Sequence, residues 1–283
     1  MTDALVGVSH ECDYPEEVRL LPRLTASAVD AEASSAAIDA AVRELVSTSR
    51  PVFALDAEML RSLAPTVIIT QAVCDVCAAS EGQCVSLASV VSPTPQVVAM
   101  TGTTLEGIWR DIRMIGAALG RTAEADPLLD ALDARILRVH ERLKAAKAPR
   151  PRVAVIEWLE PLFKAGHWTP EVVRRAGGVD VLAEPGEHSA VVTVDAIRTA
   201  RPDLLIFAPC GFGLARAHRE ASALLARPEW EWARGVECWA LDGNALTSRP
   251  GPRLVDAIEV IAGITAPAVF GSPNQRLGRR IDT

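Results

Sequence analysis

The chain has 283 residues, 49% of them apolar, and a formal net charge of −7. That is enough apolar chain for a large core and two domains, and the acidic balance leaves no basic footprint for nucleic acid or an anionic membrane surface. No run of about 18 apolar residues could span a bilayer, and the first residues lack the basic start and long apolar stretch of a secretory signal, so a cytoplasmic protein with reduced thiols is expected.

The first third alternates short apolar runs with helical patterns, as a parallel sheet requires. Strands are predicted at 5–8, 52–55, 67–70 and 97–100. Between them, residues 34–46 carry Ile38, Val42 and Leu45 at helical spacing behind the capping residues Ser34 and Ser35, and a second helix over 57–63 follows Asp56. At Thr103 the pattern changes: Thr103 and Glu106 form a capping-box signature ahead of Leu105, Ile108, Ile112 and Ile115. Helical spacing then continues, with candidate breaks at Gly116, Gly120 and Pro127, through Leu128, Leu132, Ile136, Val139 and Leu143. At about 1.5 Å per residue such a run is long enough to join two lobes.

After an exit loop at 145–152 the alternation resumes. Strands are predicted at 153–156, 179–182, 204–207 and 238–241, and helices at 170–176, 194–199, 214–226 and 254–264. The segment 243–253 is a turn-rich loop, and the tail after Pro267 is expected to be disordered. The fold class is α/β, divided into an N-terminal lobe (1–102), a linking helix (103–146) and a C-terminal lobe (147–283).

Three cysteine-bearing segments each follow an apolar run. Ser9-His10-Glu11-Cys12-Asp13-Tyr14-Pro15 follows Val6-Gly7-Val8, Gln71-Ala72-Val73-Cys74-Asp75-Val76-Cys77 follows residues 67–70, and Ala208-Pro209-Cys210-Gly211-Phe212 follows 204–207. In an open parallel sheet, ligands bind outside the carboxyl ends of the strands. Cys12, Cys74, Cys77 and Cys210 are therefore candidate thiolates for zinc or an iron–sulfur cluster, against the plainer reading of cysteine as a small buried hydrophobe. Cys84 and Cys238 lack that placement and are expected in the core.

His10 and His167 also lie in strand-end loops, where imidazole could ligate cobalt, zinc or iron; a hydrogen-bonded loop histidine is the simpler alternative. His188 lies in a loop that could border the same cleft, whereas His140 and His218 fall in helical segments facing solvent. Tyr14, Trp158, Trp168 and Phe212 fall at predicted strand ends, where aromatic rings either wall a large flat ligand or cap the core. Glu11, Asp13 and Glu157 could act as acid or base in the cleft, and their spacing does not distinguish them from solvated loop carboxylates. The chain has no phosphate loop, no Gly-x-Ser-x-Gly elbow and no Gly-x-Gly-x-x-Gly at the first strand.

Five segments occur in order between residues 5 and 265. They are the Ser9 to Pro15 segment, Thr70-Gln71 followed by Cys74-Asp75-Val76-Cys77-Ala78, Gly166-His167-Trp168-Thr169-Pro170-Glu171, Pro209-Cys210-Gly211-Phe212, and Ser248-Arg249-Pro250-Gly251-Pro252-Arg253. Together they resemble the cobalamin-binding branch of the iron-siderophore and cobalamin substrate-binding proteins of ABC transporters. The resemblance implies two Rossmann-like lobes with mainly parallel sheets, joined by one long α-helix, with the ligand in the cleft between them. It implies a small-molecule ligand, cobalamin or another corrinoid or metal chelate, contacted by His10, Glu11, Tyr14, Gln71, Trp158, His167, Trp168, Phe212 and Arg249. An ABC permease is the implied partner if the protein is exported. The alternative is a cytoplasmic enzyme on the same scaffold, whose cleft thiolates hold a metal or iron–sulfur cluster while His10, Glu11 or His167 assists the chemistry. In the family the segment matching residue 5 is usually preceded by a further strand and helix. Either the true start lies further upstream or, if Met1 is the start, the first sheet is expected to reorder its strands or to be covered by a neighbouring chain.

Overall fold

A computed structural model describes residues 4–73, 81–89 and 91–282. It divides into two compact units, Met1–Thr101 with Arg110–Glu124, and Gly102–Trp109 with Ala125–Thr283.

After a 3₁₀ turn at Glu16–Leu20, the first unit contains β1 (Thr25–Ser27), α1 (Ser35–Ser47), β2 (Phe53–Leu55), α2 (Ala57–Leu63), β3 (Val67–Gln71), α3 (Glu81–Ala88) and β4 (Gln96–Met100). Two helices start as their capping residues dictate. Ser34 Oγ accepts from the Ala37 N–H at 3.2 Å and Asp56 Oδ1 from the Met59 N–H at 2.9 Å, each pairing a donor that a helix start leaves without an internal partner. The strands form two separate pairs, β1 with β2 antiparallel and β3 with β4 parallel. Two expectations change here. Residues 5–8 make only a single bridge, Val8 to Arg23, and Leu5 and Val6 are exposed. An apolar run becomes a strand only where a neighbour completes its ladder. Residues 25–27, not read as a strand, supply the partner of β2 and make that pair antiparallel.

The helical stretch predicted from Thr103 is two helices, α4 (Leu105–Ala118) and α5 (Thr122–Ala146). They part at Gly120, whose φ of +65° is a conformation that glycine adopts without steric cost. Gly116 and Pro127 remain inside α4 and α5 respectively. The start of α4 belongs to the second unit, where the Leu105 N–H donates to Glu171 Oε2 at 3.1 Å and the Trp109 indole N–H to Asp133 Oδ1 at 2.7 Å. A carboxylate at a helix start offsets the positive end of the backbone dipole.

The second unit continues with β5 (Arg152–Leu159), β6 (Leu162–Lys164), α6 (Thr169–Arg175), β7 (Val179–Asp180), β8 (Ala190–Val191), α7 (Val194–Thr199), β9 (Leu204–Phe207), α8 (Leu214–Leu225), β10 (Glu237–Leu241), α9 (Gly243–Leu246), α10 (Leu254–Thr265), α11 (Pro267–Phe270) and β11 (Gly278–Ile281). Seven strands form one sheet in the order β11-β10-β9-β5-β6-β8, with β7 also on β5. β7, β9 and β10 extend the parallel core from β5, while β6, β8 and β11 each join antiparallel. β9 lies between β5 and β10 with all four residues buried, and a strand covered on both faces reads as a continuous apolar run. α10 is buried along nearly its whole length, and its polar Asp256 and Glu259 are held by Arg135 of α5 at 2.6 and 2.7 Å.

The tail expected to be disordered is ordered. It forms α11 and then β11, which pairs with β10 from Cys238 opposite Ile281 to Leu241 opposite Gly278 and covers that edge of the sheet.

The predicted strand at 179–182 stops after Asp180, because Asp180 Oδ1 accepts the N–H groups of Leu182 and Ala183 at 2.9 and 3.1 Å and turns the chain. Burial raises this carboxyl from its ordinary value to about 6, against the opposing pull of those two N–H groups. The folded state therefore favours the protonated form: the contribution of Asp180 to stability is complete below pH ~4 and is lost as pH rises through about 6. Asp180→Asn keeps an acceptor oxygen for both N–H groups and never ionises. Urea unfolding is expected to find the variant more stable than wild type by up to about 3 kcal/mol at about pH 7.5, with the difference vanishing near pH 4.

Candidate functional site

β5, β9 and β10 run parallel, so the loops that follow them meet at one edge of the sheet. There they bind one another. The Cys210 N–H donates to the Glu157 carbonyl at 2.9 Å and the Asn244 N–H to the Phe212 carbonyl at 3.1 Å. The Gly211 N–H donates to Ser248 Oγ at 3.0 Å, and the Trp168 indole N–H to the Thr247 carbonyl at 2.8 Å. The closest approach is at Gly243, where a Cβ would stand 2.2 Å from the Pro209 carbonyl oxygen.

This edge carries an aromatic face. The Trp158 and Phe212 rings lie 5.2 Å apart at 59°, and the Arg216 guanidinium sits 3.6 Å over the Phe212 ring while Glu220 holds it at 2.7 Å. Arg249 donates through Nη2 to Asn244 Oδ1 at 2.5 Å. Trp158, Arg216 and Arg249 are half-buried. Trp168 and Phe212, both expected to contact a ligand, are only 5% and 4% exposed. Trp168 is thus chiefly a packing residue whose indole anchors the Thr247 turn, and Phe212 supports Arg216 from beneath.

Beside this face two loops are zipped together. The His167 N–H donates to the Glu187 carbonyl at 2.5 Å and the Gly186 N–H to the His167 carbonyl at 2.8 Å. A Cβ on Gly166 would stand 2.4 Å from Ser189 N. Glu157 reaches into the junction, its Oε2 accepting the Gly166 N–H at 3.3 Å. Burial pushes the Glu157 carboxyl above the usual carboxylate range, and the neighbouring Ser189 hydroxyl and Gly166 N–H pull it back only in part. The His167 ring lies 5.3 Å from His188, perpendicular to it, and 5.6 Å from Trp168. Burial, reinforced by His188, holds the His167 imidazole below its ordinary pKa, so it is neutral at pH 7.

In the first unit the loop around His10 is tied down by Thr25 and Arg23. Thr25 Oγ1 meets His10 Nδ1 at 2.6 Å and accepts the His10 backbone N–H at 2.9 Å, and Arg23 donates to the carbonyls of Ser9 and Cys12 at 2.8 and 2.5 Å. The His10 ring packs 5.2 Å from Phe53, and Glu11 stands 3.4 Å from its Nε2. Cys12 Sγ lies 3.4 Å from Ser9 Oγ, Tyr14 is exposed, and Gln71 ends β3 half-buried. Cys74 and Cys77 lie outside the described residues. Among the described residues no group of three or more His, Cys, Asp or Glu side chains could hold a metal ion. Cys210 is exposed at its strand end. Cys84 and Cys238 are buried as expected, and burial pushes the Cys238 thiol up to about 12.

Sequence reasoning missed Arg216 and Ser189, and quoted Ser248 only as part of a matched segment, without a role. Arg216 left a signal: it stands four residues beyond Phe212 as α8 begins, a spacing at which helical side chains meet. The two serines act through loops that only the fold brings near.

An aromatic face with fixed arginines at the carboxyl ends of parallel strands is the form of a ligand-binding α/β protein. Residues 15–234 match the family described as periplasmic binding protein, and the chain belongs to that family. Comparison with curated proteins gives no match. Solved structures share the fold. A periplasmic heme-binding protein from Pseudomonas aeruginosa aligns with a TM-score of 0.71 and 20% identity over 99% of this chain and 90% of its own. The periplasmic heme-binding protein RhuT from a Roseiflexus species gives 0.62 and 19% over 94% and 89%, and the periplasmic vitamin B12-binding protein BtuF of Vibrio cholerae 0.57 and 20% over 94% and 89%. The two-lobed mixed α/β fold expected from the sequence is the fold of this family. Among the described residues no helix is long and apolar enough to cross a membrane.

Gly243→Ala tests the interlock of the loops. Its Cβ meets a backbone oxygen that cannot swing aside, so stability is expected to fall by about 1–3 kcal/mol in denaturant unfolding, the range of an overpacked core. An unchanged midpoint would show that the loops do not depend on that approach.

Proposed function

We propose that this protein binds a metal tetrapyrrole, a corrinoid of the cobalamin type first and heme second, and delivers it to an ABC permease. The observation that carries the reading is the strand-end face of the second unit, where half-buried Trp158 stands against the buried Phe212 ring that carries Arg216, with Arg249 held by Asn244. A broad flat ligand needs an apolar wall to lie against and a few fixed polar groups to orient its periphery. Arginine held by Glu220 or Asn244 supplies those without reorganisation. Fold neighbours that bind heme and vitamin B12 support the same class of ligand. In the first unit, His10, Glu11, Tyr14 and Gln71 are proposed as ligand contacts. Neither the family nor the fold favours an iron–sulfur enzyme or a cytoplasmic placement.

Titration of the purified protein with aquocobalamin and with hemin, followed by tryptophan fluorescence and the visible spectrum, tests the reading. Saturable binding of at least one is expected, with Trp158→Ala and Arg249→Ala each weakening it about tenfold or more. Failure of the wild-type chain to bind either overturns the proposal.

A further inference from the structure

Resting on the tetrapyrrole reading, we infer that the C-terminal segment completes the ligand site: Arg276 and Arg279, together with Arg216, bind an anionic oxygen group on the edge of the ligand, a carboxylate or a phosphodiester. The three side chains line one recess of about 530 Å³ at the start of α8, with Gln275 and Asp242. Arg216 belongs both to this recess and to the aromatic face, because its guanidinium lies 3.6 Å over the Phe212 ring, so the two adjoin. The charge of the recess runs against that of the chain. Overall the formal net charge is −7, yet here three guanidinium groups meet one carboxylate, and Asp242 is already committed through Oδ1 to the Ala245 N–H at 2.8 Å. Arg216 is held by Glu220, whereas Arg276 and Arg279 are exposed and neither side chain has a hydrogen bond or ion pair among the described residues. A guanidinium stays charged at any physiological pH and offers paired N–H donors that match the two oxygens of a carboxylate or phosphate.

The backbone that carries the two unpaired arginines is fixed. The Asn274 carbonyl accepts the N–H groups of Leu277 and Gly278 at 2.9 and 3.0 Å, and its Oδ1 accepts the Arg276 N–H at 3.0 Å. The Asp242 N–H, at the end of β10, donates to the Leu277 carbonyl at 2.9 Å, and Arg279 pairs opposite Ala240 within β11. A chain end read from the sequence as a loose tail is thus folded back to the carboxyl end of β10, where it presents two guanidinium groups on an ordered turn. Ordering that backbone before the ligand arrives removes a cost that binding would otherwise bear.

Two pairs of ligands isolate the anionic group: hemin against its dimethyl ester, which lacks free carboxylates, and cyanocobalamin against dicyanocobinamide, which lacks the nucleotide loop and its phosphate. The wild type is expected to bind the anionic member of at least one pair about tenfold or more tightly than its neutral counterpart. The double variant Arg276→Gln with Arg279→Gln loses that preference, because the anionic member weakens about tenfold while the other stays within about threefold. Arg280→Gln, on β11 but outside the recess, keeps it. Whichever pair responds identifies the group as carboxylate or phosphate. No preference in either pair for the wild type, or equal weakening of both members in the double variant, overturns the inference while leaving tetrapyrrole binding intact. No binding of any of the four ligands by the wild type overturns the proposed function, and the inference with it.

Discussion

The second unit depends on how its loops satisfy their own backbone at the carboxyl ends of β5, β9 and β10. Irregular segments at the end of a buried sheet have no ladder to complete, and every polar group enclosed there without a partner costs about 1–3 kcal/mol. In this chain the loops solve the problem for one another: Cys210 binds the Glu157 carbonyl, Asn244 the Phe212 carbonyl, and Ser248 the Gly211 N–H. Glycine at 243 lets two backbones approach more closely than any side chain would permit. Beneath them β9 is wholly apolar and closed on both faces, so the loops are fixed to a base that cannot shift without opening the core. Trp158, Arg216 and Arg249 inherit that rigidity, which is what a face needs if it is to meet a ligand without first ordering itself.

Much of this could be read from residue order alone, for reasons particular to each element. Leu204-Leu205-Ile206-Phe207 announces a central strand because only burial on both faces tolerates four apolar side chains in a row. The spacing of Leu132, Ile136 and Val139 announces the buried stripe of α5. Residues 5–8 have the same local character as a strand, and nothing in them reveals that only Val8 finds a partner. The converse failure is β11, whose Gly-Arg-Arg-Ile looks like a polar tail until β10 supplies the opposite half of every pair. Strands of two or three residues, such as β6 and β8, carry too little pattern to be seen at all.

At the site, the rule that strand ends converge singled out Trp158 and Phe212, and the family resemblance Arg249, but neither could say which of them would remain accessible. Trp168 illustrates the limit. Its position after a strand invites a ligand role, yet its indole is committed to the Thr247 carbonyl, a bond between residues 79 apart in sequence. The charge state of the face was equally hidden. Glu157 and His167 are ordinary titratable residues in the sequence, and burial in the fold drives both toward their neutral forms, while Arg216, paired with Glu220, keeps its charge over the Phe212 ring.

The boundary between the units has a consequence for how such a protein can be rebuilt or recombined. The second unit takes Gly102–Trp109 and then resumes at Ala125, with Arg110–Glu124 counted to the first. No single crossover point in the gene therefore separates the units cleanly. A junction placed beyond the first of these segments gives a chimera in which the α4 start comes from one parent and Glu171, which receives its first N–H, from the other; Trp109 and Asp133 are divided in the same way. Exchange of units between relatives, by an engineer or in evolution, requires either a junction ahead of Gly102 that carries the 110–124 segment along or three junctions that respect the interleaving. The interleaving of segments 102–109 and 110–124 thus holds each parent's two units in common inheritance.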